Sequence, residues 1–138
     1  MPKRNQSGLE DFFITRWIDR FPDLPVPETQ FTEIQPWLEH WRYRQETESP
    51  RCRKWIADFV WPDEKVIVEV QGGVWHKSGH SSPKGILRDY AKAITAAAGG
   101  WVFIPIAGDQ LTKTSGYYLQ LIADSLRLRM DQAKPEAV

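Results

Sequence analysis

The sequence holds a single cysteine, Cys52, among 138 residues. No internal disulfide can therefore form, which fits a reducing compartment. No apolar run approaches the ~18 residues that a membrane-spanning helix needs. The polar start MPKRNQSGLE has none of the features of a signal peptide. These absences predict a soluble, cytoplasmic protein without a membrane partner. Net charge is missing too: Lys+Arg and Asp+Glu both number 18, so any surface for a polyanion must be local rather than global. Internal repeats and long linkers are absent. There is no helix-turn-helix, zinc finger or other base-reading module, and little room for one.

Hydrophobic content of 41% and charged content of 26% describe an ordinary globular chain. Its length suits one domain over 1–138, with a core from about 7 to 130 and both ends frayed. Seven tryptophans are many for this length. Most are expected to fill the core and its edges, leaving one or two at most for base stacking.

Ser7 followed by Glu10 has the form of a capping box. Leu9, Phe12, Phe13, Ile14, Trp17 and Ile18 then supply the apolar face of a helix from about Leu9 to Phe21. PDLPVPET lacks the donors for helix or central strand, so it is an extended crossing into QFTEI, a candidate strand. QPWLEHWRYRQETESP reads as a loop with a short helix. In RKWIADFVWPDEKVIVEVQGG two β-branched and aromatic runs flank a proline-led turn, which predicts a β-hairpin. A polar loop follows, and Pro83 then opens a helix that ends on paired glycines. Ile86, Leu87, Tyr90, Ala91, Ile94 and Ala98 are its expected buried face. WVFIPIAG is a strand and SGYYLQLIADSLRLRM a closing amphipathic helix. The order predicts an α/β domain with a mixed central sheet flanked by helices.

Within the hairpin, period-two alternation puts Ile67, Glu69 and Gln71 on one face, with Val66, Val68 and Val70 on the other. A turn at Pro62–Glu64 brings Asp58 opposite Glu69 or one residue away. Two carboxylates that close repel unless a proton or a cation lies between them. A shared proton or an arginine would suffice; a hard divalent ion such as Mg²⁺ or Mn²⁺ explains the pair better. Glu10 has two roles open to it, in the capping box or beside these carboxylates. His76 and His80 lack further zinc ligands nearby and suit phosphate contact or structural hydrogen bonds.

WIADFVWPDEKVIVEVQGGVWHKSGH, with a lysine-bearing helix and GGWVFIPI after it, resembles the PD-(D/E)XK nuclease superfamily. The likeness is to its small, single-domain, restriction-endonuclease-like members of bacteria and phages, and it covers roughly Ser7 to Ile106. It implies an α-β-β-β-α-β core, with Glu10, Asp58, Glu69 and Gln71 in the four motif places. It also implies an Mg²⁺-dependent endodeoxyribonuclease (Mn²⁺ as a substitute) that leaves 5′-phosphates. Glu10, Asp58 and Glu69 would be the metal ligands.

Gln71 departs from the pattern, which more often has lysine there. Glutamine can orient water but brings no charge and is no base. The missing cation is expected on the next helix, where Lys84, Arg88 and Lys92 recur at spacings of four, away from Leu87 and Ile94. Lys92 and Lys84 are the candidates for the displaced catalytic or phosphate-binding cation. Arg51, Arg53, Lys54, Lys77 and Lys84 would form a basic rim, with Lys77, His80, Lys84 and Arg88 as contacts to DNA. A catalytically weak or inactive nucleic-acid-binding module, a structure-specific junction or flap nuclease, and a protein–protein module remain alternatives. Sequence-specific cutting would need loops such as Phe31–Pro50, or a homodimer.

Overall fold

A computed structural model of the chain describes residues 8–71 and 83–133. Helix α1 (Gly8–Arg20) is followed by strand β1 (Glu28–Phe31) and helix α2 (Gln35–Thr47). The hairpin strands β2 (Ala57–Trp61) and β3 (Val66–Gln71) come next. Helix α3 (Pro83–Ala98), strand β4 (Val102–Ala107), a short helix α4 (Gly108–Thr112) and helix α5 (Tyr117–Ala133) complete the order. The strands form one four-stranded sheet in the order β1-β2-β3-β4, antiparallel except for the parallel β3–β4 pair. The α/β class with a mixed, helix-flanked sheet is as expected. Pro105 is tolerated inside β4 because that strand lies at a sheet edge, where a missing N–H interrupts no second ladder.

Each side of the sheet carries its own core. Phe59, Trp61, Val66 and Val68 pack against Phe13 and Trp17 of α1 and Leu119, Ile122 and Leu126 of α5. Phe13 stacks on Phe59 at 4.5 Å, and Trp17 meets Trp61 at 4.9 Å. On the other side Val60 and Ile67 meet Trp37 of α2, Ala96 of α3 and Trp55, which precedes β2. The proline-rich crossing has few donors but offers carbonyls: Pro25 O accepts the indole N–H groups of both Trp17 (3.1 Å) and Trp61 (2.8 Å). Trp17, Trp37, Trp55 and Trp61 are fully buried and Trp41 and Trp101 half-buried. The core-filling expectation holds for these six, while Trp75 lies outside the described residues.

Three expectations are corrected. The first strand, Glu28–Phe31, starts two residues before QFTEI and takes in only its Gln30 and Phe31, because Glu33 and Ile34 already lead into α2. The stretch read as a loop with a short helix is a 13-residue helix. Pro36 sits in its first turn, where no N–H is needed, and Trp37 and Trp41, one turn apart, turn one side inward.

The third correction is the largest. The face of α3 expected to be buried points outward: Leu87, Tyr90 and Ile94 are 66%, 62% and 70% exposed. The buried residues of that helix are Lys92 and Ala96. Small side chains let this inner face sit close to the rest of the molecule, and a Cβ on Gly99 would collide with Pro36 of α2. Periodicity identified two faces correctly, but the polar one had a buried charge to satisfy.

Candidate active site

The turn at 62–65 closes with Lys65 in the left-handed region (φ 57°) and its N–H bonded to Pro62 O. It sets the register Phe59↔Val68 and Val60↔Ile67, and one further step puts Asp58 across from Glu69. There the Asp58 carboxylate replaces a ladder partner: its Oδ2 accepts the backbone N–H of Val70 at 2.9 Å. Both acids are buried, at 4% and 7% exposure.

Glu69 Oε1 accepts two hydrogen bonds, from the Trp55 indole N–H at 2.7 Å and from Lys92 Nζ at 3.0 Å. The Lys92 ammonium also lies 5.2 Å from the centre of the Trp55 ring, a cation–π contact strengthened by desolvation. These contacts make a buried lysine tolerable, since an unpaired ammonium there would cost several kcal/mol. Both donors converge on one oxygen, and among the described residues none bonds Oε2. Burial raises the Glu69 pKa above its ordinary 4.5, Lys92 pulls it down, the Asp58 charge raises it, and the hydrogen bonds from Lys92 and Trp55 lower it.

Glu10, Asp58, Glu69 and Lys92 line a single cavity of about 330 Å³, together with Arg53, Trp55 and Arg88. Four widely separated residues named from the sequence are thus brought together. Glu10 is buried at 4% exposure; Ser7, its capping-box partner, lies outside the described residues. Gln71 is half-buried at the end of β3 and is not part of this lining. Lys84 lines an adjoining groove of about 850 Å³ between α2 and α3, with His40, Arg44, Arg51, Arg53 and Arg88. Arg53 and Arg88 border both spaces, so the groove is continuous with the carboxylate cavity. Burial and the Arg44 charge lower the His40 pKa, against a smaller opposing effect of Glu48. The groove's positive charge comes from its arginines and Lys84, with Glu48 of the same lining paired to Arg44 at 2.9 Å. Of the expected basic rim, Lys54 lines the carboxylate cavity and also pairs with Glu33 at 3.6 Å. His76, Lys77 and His80 lie outside the described residues.

Among the described residues no three His, Cys, Asp or Glu side chains converge closely enough to hold one ion. Asp58 and Glu69, opposite each other on the hairpin, could hold a metal between them, with Glu10 on the same cavity lining. Oε2 of Glu69, the buried negative charge and the hard oxygen donors fit a divalent cation. Two polar residues were missed in the sequence. Trp55 offered only a helpful position before the strand. Gln30 lies opposite Asp58 by continuation of the β1–β2 register, 6% exposed and with φ 51°, a conformation unusual for a non-glycine residue. In comparisons with known proteins, no family model, no curated protein and no solved structure matches this chain.

Proposed function

We propose that this chain is a metal-dependent endonuclease that hydrolyses phosphodiester bonds in DNA. Asp58 and Glu69 hold Mg²⁺ or Mn²⁺, and Glu10 assists from the cavity wall. The observation that carries the reading is the buried Lys92–Glu69 pair at 3.0 Å. A nuclease of this type needs one cation beside its carboxylates, and Gln71 cannot supply it. Lys92 brings that charge to the same spot from α3. The order of elements supports the reading: α1, β1, β2, β3, α3 and β4 follow the α-β-β-β-α-β course of the restriction-endonuclease-like core, with α2 inserted between β1 and β2.

An ion held by Asp58 and Glu69 would lower the pKa of a water and offset charge on the scissile phosphate. Val70 N–H and Trp55 N–H fix the orientation of Asp58 and Glu69 respectively, so neither carboxylate needs to reorganise. Lys92 Nζ offsets negative charge as it builds on the phosphate oxygens. Arg53 and Arg88, which border both spaces, lead the strand from the basic groove into the cavity. Gln71 is given no step.

The decisive experiment incubates purified protein with duplex, single-stranded, flap and four-way DNA, with Mg²⁺ or Mn²⁺ and with chelator. Cleavage on at least one substrate, lost with chelator, is expected; no metal-dependent cleavage on any of them sinks the enzyme reading. A second reading, a DNA-binding module without cleavage, is favoured by the same ion pair, since Lys92 partly neutralises Glu69 without a metal. That reading requires DNA binding that is indifferent to both chelator and Asp58→Asn.

A further inference from the structure

The outer face of α3 is an apolar stripe left in solvent. At 100° per residue, Pro83, Ile86, Leu87, Tyr90, Ala93, Ile94, Ala97 and Ala98 fall on one side of the helix and include no charge. Leu87, Tyr90 and Ile94 each leave well over half of their surface in water, and Ile86 leaves 39%. Rotating the helix to bury them is not open to the chain. It would drag Lys92 away from Glu69 and Trp55, and a buried lysine without a partner is costly. The helix is held in this orientation by its polar face, and its apolar face is left for something else.

We propose that this face is the interface of a homodimer, in which α3 packs antiparallel against α3 of a second copy of the chain across a twofold axis near Tyr90. Three observations favour a second copy. The stripe is self-complementary: Leu87 lies three residues before Tyr90 and Ile94 four after it, so in an antiparallel pair Leu87 of one copy meets Ile94 of the other. This is the reciprocal pairing that a twofold interface demands. The small side chains of Ala93 and Ala97 on the same face let the two helices approach to ordinary packing distance, roughly 8–10 Å.

The second observation is area. The four large side chains offer on the order of 400 Å² of apolar surface, about half of the ~800 Å² per partner in a standard interface. Pro83, the alanines and the borders of the helix lie beside them to make up the rest. The third is charge: the stripe presents no cation to a nucleic acid and no ionic group to select a charged protein. Leu87 and Ala91 also border the basic groove. The twofold would thus bring two such grooves side by side, each leading to its own carboxylate cavity. Dimerisation does not depend on the nuclease reading and can be tested apart from it.

The test is the solution mass of the full chain by sedimentation equilibrium over a wide concentration range, beside Leu87→Glu/Ile94→Glu. The wild type is expected at twice the chain mass. The double substitution should raise the dimer dissociation constant at least ~100-fold while leaving the circular dichroism spectrum unchanged. Because both side chains are exposed in the monomer, the variant is expected to fold. A second arm places Tyr90→Cys in a Cys52→Ser background, where mild oxidation should give a disulfide-linked dimer through the twofold axis. A wild type that stays monomeric, or a dimer that survives both glutamates, overturns the proposal. A monomer whose α3 is nonetheless protected from hydrogen exchange assigns the face to the chain's own residues and also overturns it.

Discussion

Lys92 Nζ, on α3, lies 3.0 Å from Oε1 of Glu69 on β3, an oxygen already held by the Trp55 indole. The two residues are 23 apart in sequence, and their meeting puts a cation beside the carboxylates, which Gln71 cannot supply. If Lys92 does the work of the lysine missing from position 71, the two positions should be interchangeable. Lys92→Met is expected to lower cleavage by at least ~100-fold, the scale of removing one preorganised charge stabiliser. Gln71→Lys alone should keep or raise activity, and Gln71→Lys in the Lys92→Met background should restore part of the loss. Single-turnover rates at saturating DNA read all three. Full activity in Lys92→Met would show that the pair is structural.

The stability of the same pair can be separated from its chemistry. Lys92→Met leaves Glu69 buried without its cation, and breaking a buried ion pair costs roughly 3–5 kcal/mol. Glu69→Gln strands the ammonium in turn. Removing both charges with Lys92→Met/Glu69→Gln should be much less destabilising than the sum of the single changes. Urea unfolding of the four proteins in chelator gives the coupling. Additive losses would mean that the ion pair carries no net interaction.

Glu69 should titrate above the ordinary 4.5 in metal-free protein, chiefly because it is buried. A folded pKa that is raised means stability fully present below the unfolded value and lost as the pH rises through the folded one. The neighbours predict how the midpoint moves. Lys92→Met and Trp55→Phe each remove an influence that lowers it, so both should shift it upward. Asp58→Asn removes a repulsion and should shift it downward. Carboxyl carbon chemical shifts measured against pH report the group directly. A Glu69 midpoint at or below 4.5 would mean that Lys92 and Trp55 outweigh desolvation.

The hairpin, its turn and the Asp58–Glu69 pairing were legible because they rest on local rules: alternation, a proline-led turn and fixed cross-strand register. The closing helix and the strand with Pro105 were legible for the same reason. The orientation of α3 was not. Its apolar stripe obeys helical periodicity, but burial of that stripe competes with burial of Lys92, and the winner depends on Glu69 and Trp55, distant in sequence. Helix α2 was underread because few of its residues are apolar, and its burial rests on Trp37 and Trp41. Trp55 was invisible as a site residue because an indole before a strand has no spacing signature. Its role exists only once Glu69 is folded against it.

The groove between α2 and α3 makes a separate prediction about binding. Arg51 and Lys84 line it away from the carboxylates, whereas Arg53 and Arg88 border both spaces. If phosphates run along the groove, Arg51→Ala/Lys84→Ala should weaken binding to DNA of any sequence. It should also reduce the slope of log affinity against log salt by about 1 for each phosphate no longer neutralised. The rate at saturating DNA should hardly change, since neither side chain reaches the cavity. Fluorescence anisotropy at several salt concentrations measures the slope, and an unchanged slope would move the DNA path elsewhere.

Metal binding finally distinguishes a working site from a polar core. Asp58 and Glu69 are almost fully buried, and Asp58 already accepts a backbone hydrogen bond. Asp58→Asn keeps the shape and one carbonyl acceptor, so the fold should persist while a charged oxygen ligand is removed. Calorimetric titration with Mn²⁺ should show binding to the wild type that Asp58→Asn weakens at least ~10-fold. Trp55→Phe should weaken it less, because the indole orients Glu69 without contacting the ion. The order of the two effects is the informative part. A larger loss in Trp55→Phe would mean that Glu69, fixed by its indole, is the principal ligand, and that Asp58 mainly caps the strand through Val70.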